Sequence, residues 1–158
     1  MRLATYASVS VATILIVAKL IAWSSTGSVA MLSTLVDSLL DGLTSIITLF
    51  AVRHALRPAD REHRFGHGKA EALAAIAQSA FVFGSAIIVL LHAGTRLFQP
   101  QPVTATNVGI AVIIGSVILT LALVGFQQYV VKQTNSLAIA SDTLHYKGDL
   151  LINLAVLL

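Results

Sequence analysis

The chain has 158 residues, of which 56% are hydrophobic and only 11% charged, with a mean hydropathy of +0.86. Soluble domains carry about 25% charged residues, so this composition excludes an ordinary soluble fold and points to the lipid bilayer. With no cysteine the chain builds no disulfide, thiolate metal site or cysteine nucleophile. Its net charge of +3 includes no basic patch interleaved with aromatics, so nucleic acid is not an expected partner.

A helix needs about 20 mainly apolar residues to cross a membrane. Met1 and Arg2 before an apolar run look like the start of a secretory leader. The run continues to about residue 23 without a small-residue cleavage pattern, so a first transmembrane helix is expected over about 4–23. The second is expected over about 29–52 and contains Asp37 and Asp41. The third, about 70–98, stops before Pro100 and Pro102, which suit a loop. A fourth covers about 108–131, and a fifth starts near 136 and is still apolar at Leu158. The expected fold is all-α: a polytopic transmembrane helix bundle, one transmembrane domain over 1–158, with four full spans and the start of a fifth.

Positive charge orients this bundle. The connection "RHALRPADREHRFGHGK" (53–69) carries Arg53, Arg57, Arg61, Arg64 and Lys69, whereas the connections after helices one and three offer only Arg96. The positive-inside rule places 53–69, Arg2 and Lys132 in the cytoplasm. The expectation is therefore a multi-pass protein of the inner (plasma) membrane with a cytoplasmic N-terminus. Lys19, near the outer end of helix one, is expected to snorkel.

Two segments interrupt the apolar pattern. "DSLLD" places Asp37 and Asp41 four apart, and "HYKGD" does the same for His145 and Asp149. Residues four apart share a helix face. At about 1.5 Å of rise per residue, Asp37 and Asp41 lie roughly 13 and 19 Å from the outer surface. His145 and Asp149 lie roughly 13 and 19 Å from the inner one. Across a core about 30 Å thick, Asp41 levels with His145 and Asp37 with Asp149. Three carboxylates and an imidazole at one depth need a cation. Zinc accepts such nitrogen and oxygen ligands in a tetrahedral shell, while magnesium and calcium prefer six or more oxygens. Iron(II), cadmium, cobalt and manganese have related preferences.

Other readings of the same residues are pairing with Lys19 or Lys147, or a proton or sodium relay, since intramembrane ionisable groups pair or face cavities. Asp142 shares the stripe of His145 and Asp149, either as a ligand or proton acceptor nearer the cytoplasmic mouth or as a helix-start residue. In the loop, "DREHRFGH" brings together Asp60, His63 and His67, which make either a three-ligand metal site open to water or an ordinary solvated turn. His54 is expected at the interface, and His92 as a hydrogen-bonded residue of helix three. Glu71 suits the N-terminus of helix three.

These stretches resemble the cation diffusion facilitator family, in particular its bacterial zinc and ferrous-iron efflux pumps. The resemblance rests on "GSVAMLSTLVDSLLDGLTS" (27–45), "RPADREHRFGHGKAEALAAIAQS" (57–79) and "SDTLHYKGD" (141–149), and extends over essentially the whole chain. It implies a homodimeric antiporter that exports Zn²⁺ against protons, with Asp37, Asp41, His145 and Asp149 as the transport site. It also implies a second metal site at Asp60, His63 and His67. Family members with histidine at the position of Asp37 tend to be zinc-selective, so aspartate there leaves Cd²⁺ and Fe²⁺ open. The family has six transmembrane helices followed by a cytoplasmic metal-binding domain. The expectation is that helix six and that domain are missing from these 158 residues.

The mechanism expected from these residues starts with a site facing the cytoplasm. The metal displaces protons from His145 and the carboxylates, because ligands bind metal deprotonated. The helices tilt, and protons reclaim the ligands on the far side. Imidazole titrates near neutral pH, which makes His145 the expected proton carrier. Gly42 and Gly148, each beside a ligand aspartate, are expected to allow close helix approach. Two rivals are a membrane-embedded metal-binding or sensor module without net transport, and an intramembrane zinc protease. The protease typically needs H-E-x-x-H, which is absent, and no enzyme activity is expected.

Overall fold

The computed structural model describes residues 1–27, 29–98 and 107–157. Among them are five α-helices and no strand: α1 (Arg2–Thr26), α2 (Val29–Ala55), α3 (Lys69–Phe98), α4 (Asn107–Thr134) and α5 (Leu137–Leu157). Ser28, Leu158 and the loop expected at Pro100 and Pro102 lie outside the described residues, as do the side chains of His92 and Arg96.

Local chemistry sets the helix ends. Gly27 stops α1 in the left-handed conformation (φ 62°), with its N–H donating to the Trp23 carbonyl at 2.8 Å. Glycine takes this conformation without a Cβ penalty. Arg53 and His54 occupy the last turn of α2, where cations complement the carbonyl end of the dipole. Between α4 and α5, Asn135 (φ 50°) donates its N–H to the Val131 carbonyl at 2.8 Å. Ser136 then caps α5, its Oγ accepting from the Ile139 N–H at 3.4 Å. Two residues thus reverse the chain and lay α5 antiparallel to α4. Glu71, in the first turn of α3 as expected, also reaches α5: its Oε1 accepts from the Ser136 hydroxyl at 2.6 Å.

α1 and α4 are long and apolar enough to cross a membrane over their whole length, and α2 and α3 over Met31–Ala55 and Lys69–Ile88. In α5, the apolar run is broken by Asp142, His145, Lys147 and Asp149. Ile14, Leu39, Phe50, Leu73, Ile118 and Leu144 point outward, the inverse of a soluble protein and the surface that lipid solvates. The chain is a multi-pass membrane protein.

All five helices meet near the ends where α1, α3 and α5 begin and α2 and α4 finish. There Ala4, Val52, Ala74, Val130, Ala138 and Ile139 form one buried cluster. Small side chains let backbones approach closely, which is how helices associate where no hydrophobic drive separates them from lipid. A Cβ on Gly42 would lie 3.0 Å from Cδ1 of Ile16, so the expected close approach is present between α1 and α2. It is not present at Gly148, where a Cβ would meet nothing within 4 Å.

Candidate metal centre

α2 and α5 cross so that Asp41 faces His145. The His145 Nε2 lies 3.0 Å from Oδ1 of Asp41 and 3.6 Å from Oδ2 of Asp149. One ligand atom from each of the three falls within 4.8 Å of the others. In a tetrahedral zinc shell, with bonds of 2.0–2.2 Å, neighbouring ligand atoms sit about 3.3–3.6 Å apart, close to the two distances from His145. Oδ2 of Asp149 is buried and accepts no hydrogen bond. A buried carboxylate oxygen without a donor is costly, and a bound cation removes that cost.

The partnership of Asp41 with His145 matches the depths inferred from sequence. Asp37 stands one turn from Asp41 on the same helix, more exposed, and outside the three-residue group. It remains within electrostatic reach of Asp149 and Lys19. A tetrahedral shell on Asp41, His145 and Asp149 keeps one position open, toward which Asp37 would have to move.

Asp142 is neither a helix-start residue nor a ligand at an open mouth. Its side chain is fully buried and accepts from three helices: Oδ1 from Gln78 Nε2 (2.7 Å, α3), and Oδ2 from Gln127 Nε2 (2.6 Å, α4) and Ser8 Oγ (2.9 Å, α1). Gln127 Nε2 also donates to Ser8 Oγ at 2.9 Å, and Thr48 of α2 donates to Gln78 Oε1 at 3.4 Å. All five helices share this polar layer, one turn below His145.

Lys19 does not snorkel. It is 7% exposed, and its Nζ donates to Ser38 Oγ at 2.7 Å and to the Thr34 carbonyl at 3.1 Å. α2 offers polar partners at the depth of Lys19, so the side chain turns into the bundle.

A second cluster lies in the 56–68 connection. Asp60 Oδ1 accepts the backbone N–H groups of His63 (2.6 Å) and Glu62 (3.1 Å), and lies 3.1 Å from His63 Nδ1. Its Oδ2 lies 3.3 Å from Nε2 of His67. Gly66 (φ 78°) turns the chain between the two histidines, and the Gly66 N–H donates to the His63 carbonyl. Asp60, His63 and His67 therefore present ligand atoms within 4.8 Å of one another. His67 is buried, with Nδ1 unpartnered, whereas the other two are exposed. The His63 backbone N–H, and after it the His63 imidazole, pulls the Asp60 carboxyl below its ordinary value of 3.8. The His54 ring packs edge-on against His67 at 4.6 Å, so the cluster has a fourth neighbour that spacing alone did not reveal.

The described residues thus form five helices of a membrane protein and bring together two groups of nitrogen and oxygen side chains that could hold a metal ion. Residues 5–158 match the cation efflux transmembrane domain family, and the chain belongs to it. It is similar to the cation-efflux pump FieF of Shewanella oneidensis, with 51% identity over 157 residues, or 99% of this chain and 53% of that protein. The FieF proteins of Pectobacterium carotovorum (50% over 159 residues, 99% and 53%) and Cronobacter sakazakii (49% over 154 residues, 98% and 51%) are alike. The chain spans about half the length of the curated relatives it matches.

Proposed function

We propose that the chain is the transmembrane metal-binding part of an exporter of divalent transition-metal cations, with Zn²⁺ as substrate and Cd²⁺ and Fe²⁺ as further substrates, driven by proton exchange. The single observation that carries this reading is the convergence of Asp41, His145 and Asp149 from antiparallel α2 and α5 within the apolar bundle. The naming of its relatives as cation-efflux pumps supports it. Asp37 completes the transport site from one turn away. Asp60, His63 and His67 hold a second ion in the loop. The protein works as a homodimer in the inner membrane with its N-terminus in the cytoplasm.

Metal and protons compete for the same atoms. Without metal, the close approach of His145 Nε2 to Asp41 Oδ1 is satisfied by a shared proton. Metal arriving between them needs the imidazole lone pair and the carboxylate charge, so the proton leaves. Return of the proton from the far side restores the pair and releases the ion. Antiport follows when the two exchanges happen on opposite faces of the membrane.

The test is a zinc titration in lipid nanodiscs, with magnesium as the control cation, of the parent, Asp41→Ala and a His63→Ala/His67→Ala double variant. The expected result is two classes of zinc site, one lost in each variant, with magnesium bound weakly by both. Zinc binding that survives Asp41→Ala and vanishes with the loop histidines would overturn the midplane assignment. Metal flux in proteoliposomes that ignores the pH gradient would replace antiport with a binding module.

A further inference from the structure

The ammonium of Lys19 is buried inside the bundle and fixed there by α2. Its two acceptors, Thr34 O and Ser38 Oγ, lie on the helical segment that carries both aspartates, and Ser38 sits between Asp37 and Asp41 in sequence. Ser38 is itself buried (1% exposed), so this contact is shielded from solvent. The carboxylates that act electrostatically on Lys19 are Asp41, Asp37 and Asp149, the acidic residues of the proposed transport site. Ionised, those three carry −3 and Lys19 carries +1, which leaves −2. One divalent cation neutralises that charge.

From this placement we infer that Lys19 is the resident counter-charge of the metal site, a specificity-determining residue that matches the site to divalent ions and keeps their affinity low enough for release. The inference rests on the transport-site reading above. Its physics is the competition between like charges in a poorly screened interior. Charges a few ångströms apart interact several-fold more strongly there than in bulk water, and salt screens buried groups little. A fixed ammonium therefore does two things. It lowers the cost of gathering carboxylates in the apolar bundle before metal arrives, and it opposes the ion once bound. A ligand residue and a counter-charge residue then differ in sign: removing the first weakens metal binding, and removing the second strengthens it.

A purely structural role, in which Lys19 only ties α1 to α2, makes a different forecast. Losing that tie would loosen the helix pair and weaken the site. The direction of the affinity change separates the two.

The experiment measures zinc affinity in the His63→Ala/His67→Ala background, so that only the midplane site reports. The protein is placed in nanodiscs and mildly alkaline buffer, where proton uptake does not replace the lost charge. Lys19→Met, which keeps length and removes charge, is expected to bind zinc roughly tenfold more tightly and to release it more slowly to a chelator. Lys19→Arg, which keeps the charge, is expected to stay within about threefold of the parent. Terbium competition should shift in favour of the trivalent ion in Lys19→Met, because the site now carries −3. Should Lys19→Met fail to fold, Lys19→Gln, which retains an amide donor for Thr34 and Ser38, takes the same measurements. Unchanged or weaker zinc binding by a folded neutral variant, at a site still abolished by Asp41→Ala, overturns the role of Lys19 alone. Binding indifferent to Asp41→Ala overturns the transport site and the role of Lys19 with it.

Discussion

The hydroxyls of Ser45 and Tyr146 lie 2.8 Å apart, both buried, and join α2 to α5 one turn from Asp41 and one residue from His145. This bond fixes the rotation and height at which the two helices present Asp41 and His145 to each other. Tyr146 also packs on Leu123 and Val124 of α4, so its ring and its hydroxyl have separate duties. Tyr146→Phe keeps the ring and loses the tie. Interhelical hydrogen bonds in membranes contribute about 0.6 kcal/mol on average, so zinc affinity at the midplane should fall about threefold with little change in thermal stability. Tyr146→Ala adds a cavity and should cost about 3–5 kcal/mol. Calorimetric zinc titration and thermal unfolding in detergent check both; equal effects from the two variants would contradict the division.

Asp142 makes the stronger structural case. Replacing it with alanine leaves Gln78 Nε2, Gln127 Nε2 and Ser8 Oγ without the acceptor they share. A buried donor left unpaired costs about 1–3 kcal/mol, moderated in a membrane because the released groups find other partners. Asp142→Ala should therefore lower stability by about 2–3 kcal/mol. Asp142→Asn keeps one carbonyl acceptor and should lose less. Thermal unfolding of the two variants beside the parent decides; a parent-like transition for Asp142→Ala would mean that the network contributes nothing net.

The fold was largely legible in the sequence because bilayer thickness sets helix length, and the apolar runs meet that length. The meeting of Asp41 with His145 was legible too, since antiparallel helices of known rise fix relative depth. What stayed hidden depended on rotation about the helix axis. A lysine near the end of a transmembrane helix ordinarily snorkels, but the stripe of α1 that carries Lys19 faces Thr34 and Ser38 rather than the interface. The partners of Asp142 lie 134, 64 and 15 residues away, and no local pattern announces such a meeting. Gln78 and Gln127 were the available signal: amides inside apolar spans need partners, and two of them at one level imply a shared one. His54 joined the loop cluster because α2 ends beside the start of α3, a tertiary fact invisible in its own neighbours.

In the loop, the sign of the pH dependence follows from Asp60. Its folded pKa lies below the ordinary 3.8, chiefly through the His63 backbone N–H. The turn's contribution is therefore fully present above the unfolded value and is lost as pH falls through the lower folded value. Acidification from neutral to mildly acidic pH should therefore leave the Asp60 turn intact. A carboxyl NMR titration should place the Asp60 midpoint below 3.8; a midpoint above it would contradict the geometry. Asp60→Asn, which keeps an acceptor for the His63 and Glu62 N–H groups, should preserve the turn while weakening zinc binding.

Gly42 and Gly148, each beside an aspartate of the proposed transport site, should respond differently to alanine. At Gly42 a methyl group would stand 3.0 Å from Ile16 Cδ1, the flexible end of a side chain, so Ile16 must give by a few tenths of an ångström. Alanine gains about 1 kcal/mol of helix propensity over glycine, and that gain offsets the contact, so Gly42→Ala should be near neutral in stability. Gly42→Leu cannot be accommodated by Ile16 alone. It should push α1 from α2, cost about 1–3 kcal/mol as overpacking does, and lower zinc affinity by displacing Asp41 next door. Gly148 faces open space, so Gly148→Ala should stabilise α5 by up to about 1 kcal/mol with zinc affinity unchanged. Unfolding curves and zinc titrations on the three variants give the comparison. A Gly148→Ala that weakened binding would show that this face of α5 has a partner in the working protein.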